Sequence, residues 1–217
     1  MKAIMFLTLL ICSACNDHTV IPSFKSNSSL EHISENIRDI IESKEVTIAF
    51  TPQGDLDYGL TKLFCFSNGV WEKIEVRTNI VELDTILSKT ELGLIHKDEF
   101  LRYKCRESEA SSFLHKLTNH HLFELPEEKI LIEKCNTGTS AITHYDAGAV
   151  VFEIIKGSRV RKLRYTYPWY RIEDCPNVAE WNDILALKAL FEDEWYAKEH
   201  WCNEMKSRST DRKSIQG

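Results

Sequence analysis

The chain has no glycine-rich phosphate loop, and its 217 residues include only eight glycines. Loops that cradle phosphates with backbone N–H groups need glycine at fixed spacing, so that kind of nucleotide chemistry has no support here. The G-x-S-x-G nucleophile elbow, the S-x-x-K pair and the zinc-binding H-E-x-x-H are also missing. Beyond Ala14 no two cysteines stand at C-x2-4-C spacing, the usual mark of a zinc site. After the first residues, no apolar run approaches the length of about 20 that a bilayer crossing takes. Repeats are absent as well. Cys65–Cys105 and Cys135–Cys175 are equally spaced, yet residues 51–120 laid on 121–190 agree no better than chance. These absences lower the expectation of an enzyme without excluding one, because catalytic triads are set by geometry rather than by sequence order.

The net charge of −6 argues against nucleic acid as a partner. A hydrophobic content of 43% is ordinary for a globular chain and sufficient for a sizeable core.

The opening MKAIMFLTLLICSACND is the most specific feature present. Lys2 supplies a short positive region, Ala3–Ile11 an apolar run, and Ser13-Ala14 small residues, which together read as a secretory signal peptide over 1–14. Cleavage after Ala14 suits two peptidases. Ser13-Ala14-Cys15 matches the end of a lipoprotein signal, although Cys12 stands where leucine is usual. Ordinary signal peptidase would accept Cys12 and Ala14. A cysteine at the first mature position has no other obvious purpose, so Cys15 is expected to carry lipid. Residues 15–28, polar and running into the serine-rich SNSS of 26–29, then read as a flexible tether holding the domain off the membrane.

Export makes disulfides permissible. The cysteines after Ala14 are Cys15, Cys65, Cys105, Cys135, Cys175 and Cys202. With Cys15 lipidated, at least one of the rest is free. At least one bridge is expected among Cys65, Cys105, Cys135 and Cys175, with Cys202 as the free thiol.

Hydrophobic periodicity places the elements of a 29–205 domain. Leu30, Ile33, Ile37, Ile40 and Ile41 recur at helical spacing, and Ser28 with Glu31 forms a capping box, so 29–43 reads as a helix. VTIAF (46–50) reads as a strand. Residues 61–66 and 70–77 flank Ser67-Asn68-Gly69, a hairpin signature. Residues 78–95 fit either strand or helix. HKDEFLRYK and ESEASSFLHKL look helical, and ILIEK after Pro126 looks like a strand. SAITHY, VVFEII and RVRKLRYTY, separated by DAGA and KGS, predict a three-strand meander. Asn177 is placed to cap a last helix reaching about Met205, with Trp181, Ile184, Leu187, Phe191 and Trp195 on its stripe. Residues 206–217 read as a disordered tail. The expected class is α+β, an antiparallel hairpin and meander packed with several helices. A boundary near 120–126 would separate two subdomains, or would be one connection within a single sheet.

No catalytic residue, metal ligand or cofactor is assigned. His115 and His120 do not share a helix face, and His120-His121 suit a helix end, where imidazole favours the negative pole. His200, Cys202 and Glu204 converge only on an extended chain. Asp183 with Glu192-Asp193-Glu194 reads as a solvated helix face. The stretch SRVRKLRYTYPWYR stands out. Arg159, Arg161, Arg164, Tyr165, Tyr167, Trp169 and Tyr170 combine the residue types enriched at binding hot spots. Alternation puts Arg159, Arg161, Tyr165 and Tyr167 on one strand face, with Pro168 ending the ladder. A binding face predicts Arg161 and Tyr165 to be exposed, and a face turned inward predicts their pairing with acids.

The expected function is that of an exported envelope protein, anchored to the membrane through lipid on Cys15 and facing the periplasm or cell exterior. It would bind a protein or glycan partner without catalysis. The alternative is a small exported hydrolase using His with Cys or a carboxylate.

Overall fold

The computed structural model describes residues 21–33, 35–54, 60–81, 95–135 and 148–195. Residues 1–14, read above as a signal peptide, Cys15, residues 82–94, the SAITHY segment, Cys202 and the expected tail lie outside them.

The described residues form one six-stranded antiparallel sheet with helices on both faces, an α+β fold. In chain order the elements are α1 (Glu35–Ile41), β1 (Val46–Gln53), β2 (Leu60–Ser67), β3 (Val70–Val81), β4 (Ile95–Lys104), α2 (Glu107–Asn119), α3 (Glu128–Lys134), β5 (Ala149–Lys156), β6 (Arg159–Thr166), α4 (Pro168–Asp174) and α5 (Glu180–Glu192). The spatial order is β4-β3-β2-β1-β5-β6. Because β1 pairs with β5, the sheet joins strands from both sides of residues 120–126, and that stretch is a connection.

Side-chain alternation divides the core in two. On one face Val46, Ile48, Phe50, Phe64, Phe152 and Leu163 meet α2 and α5. On the other, Ala49, Leu63, Cys65, Ile74, Val76 and Val160 meet Ile33, Ile37, Ile40 and Ile41 of α1 and the turn before it. β1 lies centrally and is buried on both faces, with Thr47 and Thr51 beside Ala49 on the α1 side. Pro52 is tolerated there because it lies beyond Phe50↔Lys62, the last β1–β2 pair, where the ladder is one-sided.

The hairpin is as expected. Asn68 and Gly69 both take positive φ, 51° and 76°, as the tight turn between β2 and β3 requires. Gly148, before β5, has φ 72°, and a Cβ there would fall 2.2 Å from the carbonyl oxygen of Gln53. α2 forms where ESEASSFLHKL predicts it, with His120 at its C-cap. Two strands of the meander are β5 and β6, turned at Gly157–Ser158.

Five expectations need correction. HKDEFLRYK is strand β4, not helix: β3 offers a long edge, and ten ladder pairs from Glu72↔Lys104 to Val81↔Ile95 outweigh local helix propensity. ILIEK is not a strand but part of helix α3, whose packing needs only Leu131 buried and leaves Ile130 and Ile132 exposed. Residues 29–43 are not one helix, and no capping box forms. Leu30–His32 is a 3₁₀ turn, Ser29 is its N-cap, and Ser28 bridges Val160. Residues 21–28 are not a free tether. Ile21 and Phe24 are buried in the larger core, and Asn27 exchanges hydrogen bonds with the backbone of Lys162 along the outer edge of β6. Finally, Asn177 caps nothing in α5. It donates to the carbonyl of Lys134 at the end of α3, and Ala179 is the N-cap. The stripe itself holds, since Trp181, Ile184, Leu187, Phe191 and Trp195 are all buried.

Candidate binding surface

The 159–171 stretch divides at Tyr167. β6 is an edge strand whose inner face lies beneath the connection from α2 to α3. Arg161 is only 8% exposed and Tyr165 is fully buried, contrary to their expected exposure. Arg161 is not paired with acids either. Its two terminal nitrogens donate to the carbonyls of Phe123 and Leu125, and the Tyr165 hydroxyl donates to the carbonyl of Pro126 at 2.7 Å. Both side chains thus satisfy a non-helical backbone that would otherwise be buried unpaired. Burial lowers the Arg161 pKa and raises that of Tyr165, as desolvation of a charged form requires. Arg159 is exposed at the far end of β6. Its guanidinium lies 4.8 Å from the Phe24 ring centre and donates to the Phe24 carbonyl, fastening residues 21–28.

Arg164, on the opposite side of the strand from Tyr165, and the residues around α4 other than Pro168 reach the surface in whole or in part. Arg164 is exposed, and its Nε donates to Gln53 Oε1 at 3.2 Å. Thr166 closes the strand, and both its N–H and its hydroxyl donate to the Glu128 carboxylate at the start of α3. Tyr167 then takes a left-handed conformation, φ 57° and ψ 44°, and Pro168 starts α4 at its first position. A bulky residue held in that region is strained by about 1–3 kcal/mol. Trp169 is half-buried, with Lys188 Nζ 5.9 Å from its ring centre, and Tyr170 is 39% exposed. Their ring centres are 6.3 Å apart. Tyr167, Trp169 and Tyr170 form an aromatic shelf at the strand end, three to six residues after Arg164.

A covalent link stiffens this shelf. Cys135, after α3, and Cys175, after α4, form a disulfide with a Cα separation of 5.3 Å. The expectation of a bridge among the four cysteines therefore holds. Lys134 pairs with Glu180 beside it, and this hydrogen bond is the main reason the Glu180 carboxyl titrates below its ordinary range. Cys65 and Cys105 are free thiols. Cys65 belongs to the core under α1 and Cys105 packs against the core on the opposite face, so the sheet separates them. Burial pushes both up to about 12, which leaves neither a thiolate nucleophile at neutral pH.

The chain matches no protein-family model, no curated protein and no solved structure.

A second polar group escaped the sequence reading. Lys62 and Lys73 lie on the apolar face of the hairpin among Phe64, Phe66 and Trp71, and both are buried. Lys62 Nζ donates to the carbonyl of Phe191 at 2.8 Å. Lys73 Nζ donates to the carbonyl of Trp195 at 2.7 Å and to Glu109 Oε1 at 3.0 Å, while Tyr103 donates to Glu109 Oε2 at 2.6 Å. The two ammonium groups answer carbonyls at and beyond the C-terminal end of α5, where the helix dipole is negative. Burial lowers the Lys62 pKa. Burial alone would raise that of Glu109, but the bonds from Tyr103 and Lys73 outweigh it and hold it below the ordinary range. The signal was one lysine in each strand, two residues from an aromatic on the same face: Lys62-x-Phe64 and Trp71-x-Lys73.

His32, His115 and His121 are exposed and His120 is partly so. His120 Nδ1 is 3.5 Å from Asp183 Oδ1, and His121 Nδ1 is 3.9 Å from Glu124 Oε2. Ser29 Oγ lies 3.0 Å from His32 Nδ1 within the exposed 3₁₀ turn. Among the described residues no carboxylate pairs with the other nitrogen of His32 to complete a triad.

Proposed function

We propose that the protein is an exported, lipid-anchored envelope protein that binds a protein or glycan through the aromatic shelf at Tyr167, Trp169 and Tyr170, with Arg164 at its margin. One observation carries the binding reading: a strained tyrosine, a proline and a disulfide together hold three aromatic rings at a strand end. Rigid aromatic rings give contact area at low entropic cost, and their faces suit sugar rings as well as apolar side chains. Arginine adds a planar donor for carboxylates. Export is supported by the leader and by the Cys135–Cys175 bridge, which belongs to oxidising compartments. Lipidation of Cys15 rests on the Ser13-Ala14-Cys15 ending.

The test combines an oligosaccharide array with capture from envelope extract, using wild type and an Arg164→Ala, Tyr170→Ala variant. Binding by wild type and its loss in the variant, at unchanged Tm, supports the reading. Equal capture by both removes the shelf as the binding surface. A diacylglyceryl group on the mature N-terminal cysteine is the expected mass-spectrometric result, and a bare cysteine there rejects the anchor.

A further inference from the structure

We propose that the corner formed by the β5–β6 turn and the ordered N-terminal segment is a surface for anionic phospholipid headgroups, which turns the aromatic shelf away from the bilayer. This inference rests on the proposed lipidation of Cys15.

Cys15 stands six residues before Ile21, and Ile21 and Phe24 are seated in the core. Six residues reach at most about 20 Å when extended and roughly 13 Å as a coil. A tether running to Ser28 would have left the domain free to tumble. The shorter one brings the corner near the lipid surface, where headgroup charge is felt over a Debye length of about 8 Å.

The corner is basic. Lys25, Lys156 and Arg159 are exposed around Gly157–Ser158, in a chain whose net charge is −6. None of the three forms an ion pair among the described residues. Two acids flank the corner: Glu127, which accepts from the Asn27 amide at 3.1 Å, and Glu45, which precedes Val46, the partner of Lys156. The Glu45 carboxylate turns the other way and accepts from the N–H of Asn68 in the β2–β3 turn. Glu42, the other acid of that connection, is exposed at the end of α1.

The shelf lies at the opposite end of the same strand. β6 carries Arg159 at its start and Thr166 at its close, eight residues that span roughly 25 Å. With the corner on the headgroups, Tyr170 faces outward. The lipid on Cys15 supplies the affinity, and the three cations set the orientation, in keeping with the pairing of one lipid signal with basic residues.

The test uses the full processed protein, with Cys15 modification established by mass, in vesicles of phosphatidylcholine with or without phosphatidylglycerol. A fluorophore is placed at Ser158→Cys or at Glu173→Cys on α4, and a nitroxide on the lipid headgroup quenches it. On phosphatidylglycerol vesicles the 158 probe should be quenched severalfold more than the 173 probe. The ratio should fall towards one without phosphatidylglycerol, in high salt, or in a Lys25→Glu, Lys156→Glu variant of unchanged Tm. Equal quenching of both probes in protein that carries the lipid overturns the orientation and leaves the anchor standing. A bare Cys15 overturns the anchor, and the orientation with it.

Discussion

Two neighbouring stretches, 159–166 and 167–171, both mix basic residues with aromatics, and the fold treats them differently. In β6 the pleat turns Arg161 and Tyr165 inward, where they hold the carbonyls of Phe123, Leu125 and Pro126. In α4 the chain leaves the sheet, and Trp169 and Tyr170 reach the surface. A buried arginine that answers two backbone carbonyls is part of the scaffold. Tyr170, 39% exposed, keeps part of its side chain at the surface. Composition is common to both stretches, and position in the sheet separates them.

The sharpest way to break this comparison is to loosen the platform beneath α4. Removing the bridge with Cys135→Ala and Cys175→Ala, which closes a loop of 40 residues, should cost roughly 4 kcal/mol in the chain-entropy model. Denaturant unfolding measures this, and an unchanged midpoint would remove the bridge from the account of the shelf. Arg161→Ala comes next. It leaves two buried carbonyls without donors, for a loss of about 3 kcal/mol, and an effect within about 0.5 kcal/mol, the range of ordinary surface changes, would mean that Arg161 is not structural. Tyr165→Phe deletes one hydrogen bond and should cost about 1 kcal/mol. Tyr170→Ala belongs to the other half of the comparison. It should stay within about 0.5 kcal/mol of wild type while lowering partner capture, and a large loss of stability would place Tyr170 with the scaffold.

The smallest effect concerns pH. Glu109 titrates below its ordinary 4.5 in the fold, because Tyr103 and Lys73 bond its charged form. Its contribution is therefore complete above pH 4.5 and is lost as pH falls through the folded value. Glu109→Gln should flatten the acid limb of the stability curve, and an unaltered limb would rule out this linkage.

Some of the fold was legible because it depends on local chemistry. Asn68-Gly69 pairs two residues that tolerate positive φ, so the β2–β3 hairpin could be read directly. The stripe from Trp181 to Trp195 marks one face of α5 and the turn after it, whatever they pack against. β4 could not be read in this way. HKDEFLRYK is compatible with a helix, and only the open edge of β3 makes it a strand. The same holds for ILIEK, where α3 needs one inward leucine and no ladder partner.

The candidate site follows that division. By itself the sequence pointed to a bridge among four named cysteines and displayed an unusual mixture of arginine and aromatics, because each depends on residue type and spacing. Tertiary structure decided that Cys135 meets Cys175 while the sheet parts Cys65 from Cys105. It also decided that residues 21–28 close the edge of β6 and that two buried lysines answer carbonyls at the end of α5. Exposure was decided there too. Which face of an edge strand is wet depends on what crosses over it, and here the crossing chain is the connection from α2 to α3, some 40 residues earlier in the sequence.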